Sequence, residues 1–104
     1  MKVLLTTCPG SVADDLARGA LERRLAACCS RLPVTSTYWW QGELISDEEC
    51  LLLFKSADDR LDALLTHLQE AHPYEVPELL VVEPTHVSAA YANWVLKETR
   101  TPLA

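Results

Sequence analysis

Residues 34–56, VTSTYWWQGELISDEECLLLFKS, contain two candidate strands that decide the fold. The first, VTSTYWWQ (34–41), is rich in the β-branched and aromatic side chains that are typical of strands. The second, CLLLFKS (50–56), is a short apolar run that ends in polar residues. Gly42 predicts a bend after the first strand, and ISDEE (45–49) predicts a charged turn. The stretch therefore predicts an antiparallel pair of strands in the middle of the chain.

The residues before this pair predict one β-α-β crossover. Lys2 to Thr7 have the apolar content of a buried strand. Ser11 is a candidate N-cap for a helix, with Asp14 at the capping-box position, and Pro33 ends that region. The apolar positions near one stripe of this helix are Val12, Leu16, Ala20 and Leu25.

The residues after the pair predict a second crossover and a terminal helix. A helix begins at Asp58 and stops before Pro73, and ELLVVE (78–83) predicts a strand that Pro84 closes. The apolar stripe of this helix is formed by Leu61, Leu64, Leu65 and Leu68. Residues 87–99 predict one more helix. Its apolar side is formed by Val87, Tyr91, Trp94 and Val95.

The predicted order is β-α-β-β-α-β with an extra C-terminal helix, in one domain that covers residues 1–104. Two crossovers around a hairpin give the α+β, ferredoxin-like arrangement, and right-handed crossovers place both main helices on one face of the sheet. The strands are nevertheless apolar on both faces, and Trp39 and Trp40 must point in opposite directions because strand side chains alternate. Since exposed apolar surface is costly in water, we expect a homo-oligomer.

The composition restricts the partners and the compartment. The chain has 15 acidic residues against 9 Lys and Arg, which argues against a nucleic-acid-binding surface. No run of about 18 apolar residues is present, so we expect no membrane span. The apolar run near the N-terminus is too brief for a signal peptide. The four cysteines, at 8, 28, 29 and 50, form no C-x-x-C pair. These features predict a cytoplasmic protein with reduced thiols.

Catalytic motifs give no indication of an enzyme. The patterns G-x-S-x-G, H-E-x-x-H and the P-loop are absent from the sequence. Cys8 is the only credible nucleophile and His72 the only credible base, and no oxyanion donor can be assigned to them. We therefore expect that the protein is not an enzyme.

Residues 70–86, EAHPYEVPELLVVEPTH, hold the candidate metal ligands. His72 falls at the end of the second helix, where a hydrogen bond would make it a structural cap. In the alternative interpretation, His72 joins Cys8 across the sheet, because imidazole and thiolate suit copper or zinc. Glu75 is a candidate third ligand. The spacing favours the structural cap and leaves the metal site open.

Several motifs together resemble one known family. They are ERRLAACCS (22–30), VTSTYWWQGEL (34–44), LLLFKS (51–56), HPYEVPELLVV (72–82) and Tyr91-x-x-Trp94. In combination they are similar to the CutA divalent-cation tolerance family, over nearly the whole chain. The resemblance implies a ferredoxin-like fold and a tight, P-II-like homotrimer in the cytoplasm. It also implies a role in heavy-metal tolerance and copper binding, in a family with no established enzymatic activity.

The resemblance implies a metal site that this chain matches in part. The copper site of some family members uses a cysteine at the end of the first strand and two adjacent histidines before Pro-Tyr. In this sequence His72 matches the second histidine, and Ala71 stands at the first. Thr6 stands at the cysteine, with Cys8 two residues later. The candidate ligands for copper or another divalent cation are therefore His72, Cys8 and Glu75.

The resemblance to P-II-type proteins implies an alternative function. It is a signalling or scaffold trimer without a metal function, which binds a small molecule or a protein partner in a cleft between subunits. The residues expected to line that cleft are Tyr38, Trp40, Lys55, Tyr74 and Glu75.

Overall fold

The computed structural model describes residues 1–100 and contains four strands and three α-helices within them. In chain order the elements are β1 (Lys2–Cys8), α1 (Ala13–Glu22), β2 (Cys28–Trp40), β3 (Glu43–Ser56), α2 (Leu61–Ala71), β4 (Leu80–Val82) and α3 (Ala89–Glu98). The strands form one antiparallel sheet in the order β2-β3-β1-β4. The prediction of a ferredoxin-like fold, with the first and last strands as neighbours, is confirmed.

One face of the sheet packs against α1 and α2 to form the core. Alternate residues of β1 and β3 point to this face, and those with large apolar side chains are fully buried. The main core residues are Leu4, Leu52 and Phe54 from the sheet and Leu16, Leu64 and Leu68 from the helices. Thr6 also points into this layer. Its Oγ1 is the one buried side-chain oxygen or nitrogen in residues 1–100 without a hydrogen-bond partner.

The opposite face of the sheet is covered only in part. α3 contacts β3, and Val95 of this helix is fully buried. Tyr91 of α3 interacts with the thiol of Cys28. Cys28 stands opposite Lys55 in the pairing of β2 with β3, and both side chains point to the face away from the core. Over both faces of the described subunit, the exposed large apolar side chains include Trp39, Leu44, Leu80, Val82, Trp94 and Leu96.

Strands β2 and β3 extend beyond the rest of the sheet as a two-stranded hairpin. β1 pairs with residues 50–56 of β3, so residues 43–49 pair with β2 alone. We call residues 34–49 the arm. It turns at Gln41 and Gly42, whose φ angles are both positive, at 50° and 81°. A two-residue turn of type I′ requires positive φ at both positions.

The boundaries of the strands correct two predictions. The charged turn predicted at 45–49 is wrong, because these residues continue β3 and pair with β2. Pro33 does not end a helical region but lies inside β2, where an edge strand can accommodate a residue without an N–H donor. The register of β2 with β3 is uninterrupted up to Trp40. Trp39 and Trp40 therefore point to opposite faces of the arm, as predicted.

The helices lie close to their predicted positions, but α1 ends at Glu22, so Leu25 lies after the helix and not in its stripe. The predicted capping box at Ser11 is also wrong. α1 begins at Ala13 and its N-cap, Val12, makes no side-chain hydrogen bond. Asp14 instead accepts hydrogen bonds from Arg18 and Arg31, each at 2.8 Å, and the second of these ties α1 to β2. None of the helices within residues 1–100 is both long enough and apolar enough to cross a membrane.

Candidate functional site

A cavity of about 730 Å³ lies between the arm and the loop of residues 73–78 that follows α2. The side chains that line it come from the end of β1, the arm and this loop. They include Tyr38, Trp40, Glu49, Tyr74, Glu75 and Glu78. Four of the five residues that the sequence assigned to a cleft are therefore brought together within one subunit.

His72 fixes the loop to the end of β1. It is the C-cap of α2, with an extended backbone (φ −70°, ψ 135°) that a following proline favours, and it is only 7% exposed. Its Nδ1 accepts a hydrogen bond from the backbone N–H of Tyr74 at 3.1 Å. Its Nε2 therefore carries the proton and donates to the Thr7 carbonyl at 2.9 Å. With both ring nitrogens engaged, His72 has the structural role of a helix cap.

Two tyrosines of the cavity wall donate hydrogen bonds to carboxylates. The Tyr74 hydroxyl donates to Glu49 Oε2 at 2.6 Å, and the Tyr38 hydroxyl donates to Asp47. Burial and the hydrogen bond to Glu49 raise the pKa of Tyr74 far above its usual range. The hydrogen bond to Asp47 raises the pKa of Tyr38. Both phenols therefore stay neutral and act as donors near pH 7.

The cavity has acidic side chains and no basic ones. Glu49, Glu75 and Glu78 line it, and no Lys, Arg or His of residues 1–100 does. Glu49 is 8% exposed, and within that part of the chain it forms no ion pair. Buried acidic side chains are normally paired with a cation. Glu49 is an exception to this rule in the single subunit.

Lys55 and Cys8, which the sequence assigned to binding sites, lie outside this cavity. Lys55 is six residues from Glu49 along β3, roughly 20 Å at the rise of a strand, and its Nζ contacts Ser30 and Cys28. Cys8 is fully buried in the core. Burial, with a smaller effect of the neighbouring Cys50 and Glu49, raises the pKa of the Cys8 thiol to about 11. Cys8 is thus a thiol and not a thiolate at neutral pH.

The three candidate metal ligands do not converge on one point. His72 contacts Thr7, next to Cys8 in sequence, but Cys8 faces the core and Glu75 faces the cavity. Within residues 1–100, no three His, Cys, Asp or Glu side chains are placed to hold one ion. Metal binding by His72, Cys8 and Glu75 stays a prediction. It requires His72 to release a hydrogen bond and Cys8 to lose a proton.

Sequence reasoning missed Glu49, the buried carboxylate of the cavity. It lies in ISDEE, whose density of charge is typical of an exposed turn. The signal that would have found it is strand alternation. Continued backwards from Leu53 and Leu51, alternation places Glu49 on the face opposite the core.

Comparisons with known proteins agree with the fold and with the motifs. Residues 2–98 match the family described as CutA1 divalent ion tolerance protein. A divalent-cation tolerance protein CutA from Pectobacterium atrosepticum is 43% identical over 95 residues, which are 89% of this chain and 86% of that protein. A protein CutA homolog from Xenopus laevis is 42% identical over 91 residues, or 86% of this chain. That match spans only 60% of the length of the Xenopus protein.

A solved structure shows the same architecture. It is described as the PII-like protein CutA from Nostoc sp. PCC 7120 in apo form, and it is 34% identical to this chain. The two superpose with a TM-score of 0.93, over 96% of this chain and 98% of the Nostoc chain. Sequence and fold therefore agree along nearly the whole length: the chain belongs to the CutA1 divalent ion tolerance protein family.

Proposed function

We propose that this chain acts in the tolerance of divalent cations, as a non-enzymatic homotrimer in the cytoplasm. The observation that carries the proposal is the family match over residues 2–98, together with relatives that are named for this role. The expected activity is binding or regulation, in keeping with a cavity in which the wall residues Tyr74 and Glu49 are hydrogen-bonded to each other.

The proposed trimer is supported by surfaces that one subunit leaves open. Trp39 and Leu44 face each other near the tip of the arm and are 73% and 61% exposed. β4 presents three exposed apolar residues at the edge of the sheet. A two-stranded hairpin is marginally stable in water by itself, and an apolar edge strand favours pairing with another chain. We infer that neighbouring subunits cover the arm and β4.

Growth in the presence of metal ions tests the tolerance role. A bacterial strain that lacks its own CutA is grown in graded Cu²⁺, with this chain or with an empty vector. We expect the chain to restore growth at Cu²⁺ concentrations that stop the empty-vector strain. Identical growth of the two strains across Cu²⁺, Zn²⁺ and Co²⁺ would contradict the proposal.

Direct binding of copper or another divalent cation would use His72, Cys8 and Glu75. Because the Cys8 thiol is protonated and His72 is hydrogen-bonded, we expect weak binding that releases a proton. Isothermal titration of the reduced protein, compared with His72→Ala and Cys8→Ser, measures this contribution. Equal binding by all three proteins would place the metal elsewhere.

A second candidate function is P-II-like binding of a small ligand, and the cavity between the arm and residues 73–78 favours it. Its volume of about 730 Å³ is that of a site for a small molecule and not for a bare ion. A thermal-shift screen with a library of small molecules of differing charge tests this function. We expect the melting temperature to rise with a saturable dependence on one class of compounds.

A further inference from the structure

We propose that the cavity between the arm and residues 73–78 binds a small organic polycation of the di- and polyamine class. This inference rests on the second function proposed above, a ligand-binding cavity, and names the chemistry of its ligand. It combines three observations: an acidic lining with no basic residue, a buried carboxylate without a cation, and aromatic side chains on the same walls.

Glu49 is the strongest constraint on the charge of the ligand. It is buried at the cavity wall, and its hydrogen bond from Tyr74 leaves the acidic charge without a positive partner within residues 1–100. Burying an acidic group without such a partner is unfavourable. An ammonium group of a ligand would supply both the charge and N–H donors, in the stronger, charge-assisted kind of hydrogen bond.

The aromatic walls favour the same kind of ligand. Tyr38, Trp40 and Tyr74 all line the cavity. The face of an indole or phenol ring attracts an ammonium group within about 6 Å, and it also packs against the methylene carbons between two amines. An anionic ligand would meet three carboxylates and no basic side chain of residues 1–100 in this cavity, so electrostatic repulsion disfavours it.

The positions of the carboxylates favour several charges on one extended molecule. Glu49 lies on the arm, whereas Glu75 and Glu78 lie on the opposite wall, in the loop after α2. Since no three acidic, His or Cys side chains of residues 1–100 are placed to hold one ion, a bare metal ion does not match this arrangement. A chain of methylenes with separated amines reaches both walls.

Titration with spermidine tests the inference. The protein is titrated in its native oligomeric state, with isothermal titration and tryptophan fluorescence as readouts, because Trp40 lines the cavity. We expect saturable binding, with an affinity that Glu49→Gln lowers about tenfold or more. Trp40→Leu is a second variant, in the aromatic wall of the cavity, and we expect it to weaken binding as well. The control is Glu22→Gln, which removes the same charge from an exposed position at the end of α1.

The other outcomes separate this inference from the function on which it rests. Equal weakening by Glu49→Gln and Glu22→Gln, or equal competition by Mg²⁺ at matched ionic strength, would mean general attraction to an acidic surface and would overturn the inference. Binding of ATP or another anion, with no binding of spermidine, would retain the ligand-binding cavity and reject the cationic ligand. A screen in which no compound of any charge binds would reject both.

Discussion

Replacing His72 with alanine removes the hydrogen bond to the Thr7 carbonyl and the one from the Tyr74 N–H. Each part-buried group then loses a partner, at a cost of about 1–3 kcal/mol. We expect urea denaturation at fixed protein concentration to show a loss of about 2–4 kcal/mol in the free energy of unfolding. His86→Ala is the control, since His86 is exposed and its removal should change stability by less than about 0.5 kcal/mol. Equal losses in the two variants would contradict the anchoring role of His72.

Thr6→Val replaces a buried hydroxyl that lacks a partner among residues 1–100 with a methyl group of similar size. Because an unpaired buried hydroxyl is unfavourable, we expect a gain of about 1 kcal/mol in the free energy of unfolding. Thr99→Val is the matched control. Thr99 is also fully buried, but its hydroxyl donates to the Val95 carbonyl at 2.8 Å, so we expect a loss of similar size. A loss of stability in Thr6→Val, like the loss expected in Thr99→Val, would contradict the prediction.

The buried thiols predict a loss of stability at alkaline pH. Burial raises the pKa of Cys8 from 9.0 to about 11 and that of Cys29 to about 12. As the pH rises above about 9, the unfolded chain therefore releases protons that the folded chain retains, and the free energy of unfolding falls. We expect the melting temperature to decrease between about pH 9 and pH 11, less steeply in Cys8→Ala than in the wild type. The slope with pH is the measurement, and an unchanged slope would contradict the prediction.

Local sequence patterns predicted which residues belong to the candidate site better than they predicted the contacts that these residues make. The aromatic strand residues Tyr38 and Trp40 and the HPY motif suggested binding surfaces, and the fold brings them together. Lys55 lies outside the cavity because it is far from the arm along β3, and no local motif encodes that distance. The role of His72 depends on the carbonyl of Thr7, a residue far away in sequence.

At the level of elements, the turn of the arm depends on Gly42, whose φ of 81° is left-handed. A side chain at this position is strained, so we expect Gly42→Ala to lower the free energy of unfolding by about 1 kcal/mol. Gly10→Ala is the control, because a Cβ atom at Gly10 meets nothing within 4 Å and its φ is not positive. Thermal denaturation of the two variants should separate them. A Gly10→Ala variant that loses as much stability would remove the special role of the turn.

The type and order of the elements were predictable from the sequence, but the length of the arm was not. Alternation and helical spacing predict each strand and helix, but the density of charge at residues 45–49 predicts a turn where β3 continues. What extends β3 through residues 45–49 is contact with the partner strand. Thr37 and Ser46 share a hydrogen bond of 2.9 Å between their hydroxyls, and Trp39 stands opposite Leu44. Such cross-strand pairs stabilise a sheet, and they become visible only once the register is known.

For the whole molecule, the proposed coverage of the arm and β4 by neighbouring subunits would make stability depend on protein concentration. Association stabilises only the folded, assembled state. We expect light scattering at micromolar concentration to give three times the subunit mass of 11.6 kDa. We also expect the melting temperature to fall when the protein is diluted about a hundredfold. A folded monomer at micromolar concentration, or a melting temperature independent of dilution, would contradict the trimer.

The position of β4 beside β1 sets the order in which the subunit folds. β2 and β3 meet through a two-residue turn, whereas β4 pairs Val82 with Val3, across almost the whole described chain. Contacts between distant residues require the closure of a long loop, and they form slowly. We therefore expect the β2–β3 hairpin to form early in folding and β4 to join last. In native hydrogen exchange, the amides of this three-residue strand should exchange faster than those at the centre of β3. A newly synthesised subunit would thus complete its own sheet only shortly before that edge joins a neighbour in the proposed trimer.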